Sequence, residues 1–149
     1  MPYYIKKKKK PLFDKTVKVK KNPNLKAKLD KVFSMYIRLR DSKEFDFKAF
    51  KCISCGRILP FEDADAGHFF SRKHNSVRFN EKNVNAECKY DNRFNAEHLE
   101  FYRDNLIKKI GQKNFDILKW ESSQTKKWSD FELKELIKYY NGLIIKMKN

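Results

Sequence analysis

Residues 52–98 read CISCGRILPFEDADAGHFFSRKHNSVRFNEKNVNAECKYDNRFNAEH, and the two ends of this stretch decide the fold. Cys52-x-x-Cys55-Gly56 is a tight turn able to present two thiolates to one Zn²⁺, with the glycine letting the backbone fold under the metal. Cys88-x-x-Asp91 is a second knuckle. It stands further off than in a plain zinc ribbon, which leaves room for a hairpin between the two halves. A Cys-x-x-Cys alone is a weak metal signal, and Cys88 taken singly is either a third ligand or a buried apolar residue.

Between Phe45 and Phe79 helical periodicity is lost, and Gly56, Pro60 and Gly67 punctuate the chain. The short runs Phe69-Phe70 and Val77 to Phe79 predict two small strands, a hairpin that would hold a site. Within this insert stand His68, Asn83 and, directly after the second knuckle, Asn92. A histidine, a central asparagine and a knuckle-adjacent asparagine in that order form the His-Asn-His (HNH) arrangement of ββα-metal sites.

Outward from the insert the chain turns helical. Leu25, Leu29, Val32, Phe33, Tyr36 and Ile37 recur at three- and four-residue steps and predict an amphipathic helix over 25–40. From about Asn92, a stripe of Phe94, Leu99, Tyr102, Leu106 and Ile110 predicts a second helix, with Gly111 where a C-cap belongs. A short helix is expected over 115–120. Ser129 and Glu132 form a capping box, stapled by Trp128 and Leu133, for a last helix that can run past Gly142. The fold class expected is α+β, a small zinc-stapled ββα core over 45–110 between a helix at 25–40 and C-terminal helices at 114–148, all in one domain over 25–149.

The 149 residues carry a formal net charge of +16, and the segment 1–24 holds nine lysines against Asp14 alone. This reads as a flexible basic arm. Such a surplus favours a polyanion, and nucleic acid above all, because neutralised phosphates release counterions. No run approaches a membrane span and no secretory h-region is present, so the expectation is a cytoplasmic protein with reduced cysteines and no membrane partner.

At this point the motifs CISCG (52–56), DAGHFFS (65–71), RFNEKNVNAEC (78–88), NRF (92–94) and FYRDNLIKKIG (101–111) closely resemble the lambda NinG (Rap) recombination proteins, structure-selective endonucleases of branched DNA such as Holliday junctions. The resemblance implies a structural zinc on Cys52, Cys55 and Cys88, His68 as general base, Asn92 as part of a catalytic divalent-metal site, and Asn83 as the brace of the hairpin loop. Two departures stand out. Asp91 replaces the family's second knuckle cysteine, and Glu97-His98 replaces its Gly-Asn pair. Asp91 and His98 are therefore rival fourth zinc ligands, beside a three-ligand site with water or a knuckle held by packing alone.

Under this resemblance the catalytic ion is Mg²⁺ or Mn²⁺, which takes oxygen donors and keeps several waters. Asn92 offers an amide oxygen. The acid that many HNH sites place just before the histidine is here Gly67, so Asp65 is the candidate carboxylate, with Asp63 and Glu62 competing. His98 is a further candidate metal ligand. Arg72, Lys73, Arg78 and Lys82 crowd the hairpin and would hold DNA phosphates without reading bases, while His74 is a phosphate contact or simply exposed. Two symmetric cuts in a junction call for a homodimer, and a phage or prophage source fits the family. The alternative is a non-catalytic zinc-knuckle module that binds DNA or RNA.

Overall fold

The computed structural model describes residues 24–149, so the basic arm lies, apart from Asn24, outside the described residues. Helix α1 runs Leu25–Ser42, two residues past the expected end, and Asn24 caps it by accepting the Ala27 N–H at 3.0 Å. Its apolar stripe, Leu29, Phe33, Tyr36 and Ile37, is buried against Leu133, Ile137 and Tyr140 of α5 (Asp130–Lys148). The predicted capping box of α5 forms, Ser129 and Glu132 each satisfying the other's backbone N–H, and Trp128 packs against the cluster that contains Leu133.

Two antiparallel hairpins lie between these helices. Strands β1 (Ala49–Lys51) and β2 (Ile58–Pro60) flank the first knuckle, and β3 (Ala64–His68) pairs with β4 (Val84–Cys88) in the register Asp65 to Glu87 and His68 to Val84. Helix α2 (Lys89–Phe94) follows β4 at once, then α3 (His98–Ile110) and α4 (Gln112–Ser122). The architecture is α+β.

The strands do not lie where aromatic content placed them. Phe69, Phe70, Val77 and Phe79 belong to the long connection between β3 and β4, where all but Phe79 pack into the core formed with α3 and α4. Phe79 turns to α1 instead. The true strands read Ala-Asp-Ala-Gly-His and Val-Asn-Ala-Glu-Cys. They are built of small and polar residues because both faces are covered, Ala66 and Val84 by α1 and Gly67 and Asn85 by Tyr102 of α3. Buried on two sides, a strand loses the alternation that marks a half-exposed one.

The second helix is likewise split. Residues 95–97 break it, and Phe94, 76% exposed, falls off the stripe that Tyr102 and Leu106 do bury. Gly111 ends α3 as expected, at φ +83°. The outer edge of β4 has no strand beside it. Instead Asp41 of α1 accepts the Ala86 N–H at 2.8 Å, Arg40 donates to the Val84 carbonyl at 3.0 Å, and Ile53 donates to the Ala86 carbonyl at 3.0 Å. These three outward ladder groups are thus paired, as buried backbone must be. Among the described residues no helix is long and apolar enough to cross a membrane.

Candidate metal centre and hairpin site

The two knuckles meet. Gly56, at φ +71°, turns the chain after Cys55, and β4 delivers Cys88 to the N-terminus of α2. One ligand atom each from Cys52, Cys55, Cys88 and Asp91 lies within 4.8 Å of all the others. A tetrahedral zinc with bonds near 2.3 Å needs ligands about 3.8 Å apart, so the set fits with a small contraction. The Asp91 carboxylate already sits 3.1 Å from Cys88 Sγ and 3.4 Å from Cys52 Sγ, while Asn95 donates to its other oxygen at 3.0 Å.

Without a cation, burial pushes the Cys52 and Cys88 thiols up from their ordinary values. Burial also works upward on Asp91, but the Asn95 amide and the three thiols outweigh it and bring the carboxyl down to about 2. A dication in this pocket would displace thiol protons, the usual coupling of metal binding to pH. His98, the rival ligand, is not in the cluster.

His68 ends β3. Its Nε2 lies 2.9 Å from the Arg78 carbonyl across the hairpin loop. Burial lowers its pKa below the ordinary 6.5, the Arg78 contact opposing that shift, so the ring is neutral near pH 7. Asn83 is wholly buried and binds the loop at three points, accepting from Phe70 N at 2.8 Å and donating to the carbonyls of Phe70 and Val77 at 2.9 and 3.1 Å. It braces the loop without facing solvent.

Asp65 and Asn92 come together, the Asn92 amide donating to Asp65 Oδ2 at 3.0 Å. Arg93 grips the same carboxylate with two bonds, Nε to Oδ2 at 2.7 Å and Nη2 to Oδ1 at 2.8 Å. Burial acts upward on Asp65, yet these two partners hold it below its ordinary value. Three residues apart on one strand, Asp65 and His68 point to opposite faces, with Cα atoms about 10 Å apart. The pair Asp65–Asn92 is assembled. His68 stands apart from it.

Of the cations expected on the hairpin, Arg72 and Lys73 are exposed. Arg78 is tied to Asp30 at 3.0 and 2.5 Å and Lys82 to Asn114 at 2.8 Å, which removes Arg78 from the free surface charge. His74 meets the Ser122 carbonyl at 3.1 Å. Asp63 and Glu62 occupy a single helical turn before β3, and Lys89 donates to the Glu62 carbonyl at 2.6 Å.

Sequence reading missed Glu87 and Arg93. Glu87 is completely buried in β4, its Oε1 accepting from the Ser54 hydroxyl and facing His98 Nδ1 at 2.5 Å. The signal that could have found it is Gly67, since a glycine inside a strand marks a close approach. A Cβ there would stand 2.2 Å from Glu87 Oε2.

Comparison with known proteins bears on residues 4–149, which match the family model "NinG: Bacteriophage Lambda NinG protein". Protein ninG of Escherichia phage lambda is 31% identical over 116 residues, 76% of this chain and 52% of that protein. Protein ninG of Escherichia phage 933W is 29% identical over 116 residues, 76% of this chain and 53% of its own length. The chain thus spans about half the length of the curated relatives it matches. No solved structure matches it.

Proposed function

The chain belongs to the bacteriophage lambda NinG family, and from that premise we propose that it is a metal-dependent, structure-selective endonuclease of the HNH type, hydrolysing phosphodiesters in branched DNA such as Holliday junctions during recombination. The observation that carries this reading is the contact of Asp65 with Asn92 at a hairpin-to-helix junction whose first strand ends in the neutral, partly buried His68.

Asp65 and Asn92 side by side offer one carboxylate and one amide oxygen, a donor set that suits Mg²⁺ or Mn²⁺. Such an ion, when bound, would supply charge stabilisation to the phosphate and the leaving oxygen. Loading it requires Arg93 to release at least one oxygen of Asp65. His68, on the far side of the strand, accepts the proton of the attacking water, and Arg78's carbonyl fixes the ring. Arg72 and Lys73 hold the phosphate backbone, and no base code is needed to select a bent path of phosphates. Cys52, Cys55, Cys88 and Asp91 would hold a structural Zn²⁺, which would tie α2, the helix that carries Asn92, to the first knuckle. A homodimer would supply the paired cuts.

The test is cleavage of a synthetic four-way junction in Mg²⁺ or Mn²⁺. Wild type should cut, and His68→Ala should lose about 100-fold or more in rate, the range of a general base. Equal cutting by both proteins refutes the assignment. The two-pronged hold of Arg93 on Asp65 favours a second reading, a zinc-knuckle module that binds nucleic acid without cutting it. Tight junction binding with no turnover in either metal would select that reading.

A further inference from the structure

Glu87 plays no part in that function, yet it is a carboxyl group with no exposure to solvent. A carboxylate taken wholly out of water must be repaid by close partners. Its Oε1 has two, the Ser54 hydroxyl and the His98 ring, but its buried Oε2 has none. The space it fills exists only because residue 67 lacks a side chain.

The geometry has a chemical consequence for His98. A carboxylate lying 2.5 Å from Nδ1 draws the ring proton to that nitrogen, which fixes the tautomer and leaves the Nε2 lone pair free to bind. Among the described residues nothing hydrogen-bonds that Nε2. The imidazole retains 16% side-chain exposure against none for Glu87, so the pair is a buried anchor behind a ring that solvent can reach. His98 is the first residue of α3, following the short break after α2, which carries Asn92. Asp65 lies directly opposite Glu87 in the β3–β4 ladder, and side chains so paired share one face of the sheet, with Cβ atoms about 5 Å apart.

We propose that His98, through Nε2, is a nitrogen ligand of the divalent ion whose oxygen donors are Asp65 and Asn92, and that Glu87 is its positioning residue. The inference rests on the reading of Asp65 and Asn92 as a metal site and adds a third donor to it. One imidazole beside two oxygens shifts preference from Mg²⁺ toward Mn²⁺. It also accounts for Gly67. The position before His68 is kept empty so that a carboxylate from the neighbouring strand can stand behind the metal-binding ring.

The chain has three histidines, His68, His74 and His98, so ¹⁵N-histidine labelling of the full-length, zinc-loaded protein resolves each ring. Without added Mn²⁺, the His98 ring should carry a proton on Nδ1, toward Glu87. Substoichiometric Mn²⁺ should broaden its Nε2 before either ring of His68 or His74. His98→Ala should weaken Mn²⁺ binding about 10-fold or more, and Glu87→Ala about 10- to 100-fold, the range seen for residues that orient metal ligands. Glu87→Gln, whose carbonyl can still accept from Nδ1, should restore most of the affinity and the tautomer. A purely structural tie between β4 and α3 predicts equal stability losses but an unchanged Mn²⁺ constant in the folded variants, and that result overturns the proposal. Asp65→Asn separates the two levels. If it abolishes Mn²⁺ binding while His98→Ala does not, His98 is no ligand and the Asp65–Asn92 reading stands. If neither variant changes Mn²⁺ binding, the metal reading itself falls.

Discussion

Replacing Gly67 by alanine adds one methyl group, and the hairpin says where it would go. The new carbon would meet Glu87 at three points, Oε2 at 2.2 Å, Cβ at 2.9 Å and Cδ at 3.1 Å. The Glu87 Cβ cannot swing aside, because it is fixed to the β4 backbone in register with Asp65. Either the two strands separate, breaking a ladder sealed on its outer edge by α1, or the carboxylate abandons Ser54 and His98. Overpacking of this kind costs about 1–3 kcal/mol, and losing hydrogen bonds to a charged group adds about 1.5–3 kcal/mol. A total near 3 kcal/mol lowers the melting temperature of a chain this size by roughly 6–12 °C. Thermal unfolding of the zinc-loaded protein measures it, and the same substitution in a Glu87→Gly background isolates the cause. With the whole Glu87 side chain gone, its Cβ included, Gly67→Ala should cost less than about 1 kcal/mol, giving a coupling of about 2 kcal/mol between residues in contact. A Gly67→Ala protein that melts within about 2 °C of wild type, or equal costs in both backgrounds, would refute the reasoning.

Chelating zinc should unfold the region from β1 to α2, since a structural zinc supplies folding free energy directly. Asp91→Cys should tighten zinc and Asp91→Ala weaken it in competition with a chelator, and an unaltered constant in both would exclude Asp91 as a ligand. Asn83→Ala removes three hydrogen bonds from a buried side chain to the loop and should cost about 3 kcal/mol in chemical denaturation; a loss below about 1 kcal/mol contradicts the bracing role. His68 titrates below 6.5 in the folded chain and near 6.5 when unfolded. In the window between the two values the unfolded chain holds the extra proton, so stability should fall as pH drops through that window and level off beneath it. The acid limb of cleavage should likewise lie below pH 6.5, and a limb at or above that value would show that another group is the base.

Much of the frame was legible because its elements are amphipathic in the ordinary way. The stripe of α1 and the capping box of α5 follow from spacing alone, and these two helices make the largest apolar cluster. The knuckle pairing was legible from Cys52, Cys55, Cys88 and Asp91, residue types with few other reasons to recur at that spacing. The hairpin was not. Its strands are covered on both faces and filled with alanine, glycine, asparagine and glutamate, so the aromatic runs beside them gave a stronger and misleading strand signal. Glu87 was illegible for a related reason. A glutamate in a polar run reads as surface, and only the backbone pairing brings it behind Gly67. Arg93 escaped because its partner Asp65 is 28 residues away.

The dipeptide Arg40-Asp41, which stands in for a strand along β4, joins two parts of the molecule that sequence keeps far apart. Asp41 holds the Ala86 N–H, and the Ala86 carbonyl in turn holds Ile53, inside the first knuckle. Fraying the last turn of α1 therefore loosens the thiol cluster. With zinc held there as proposed, the two would form one linked equilibrium, and the zinc dissociation constant would gauge how intact a helix is that contributes no ligand to the ion.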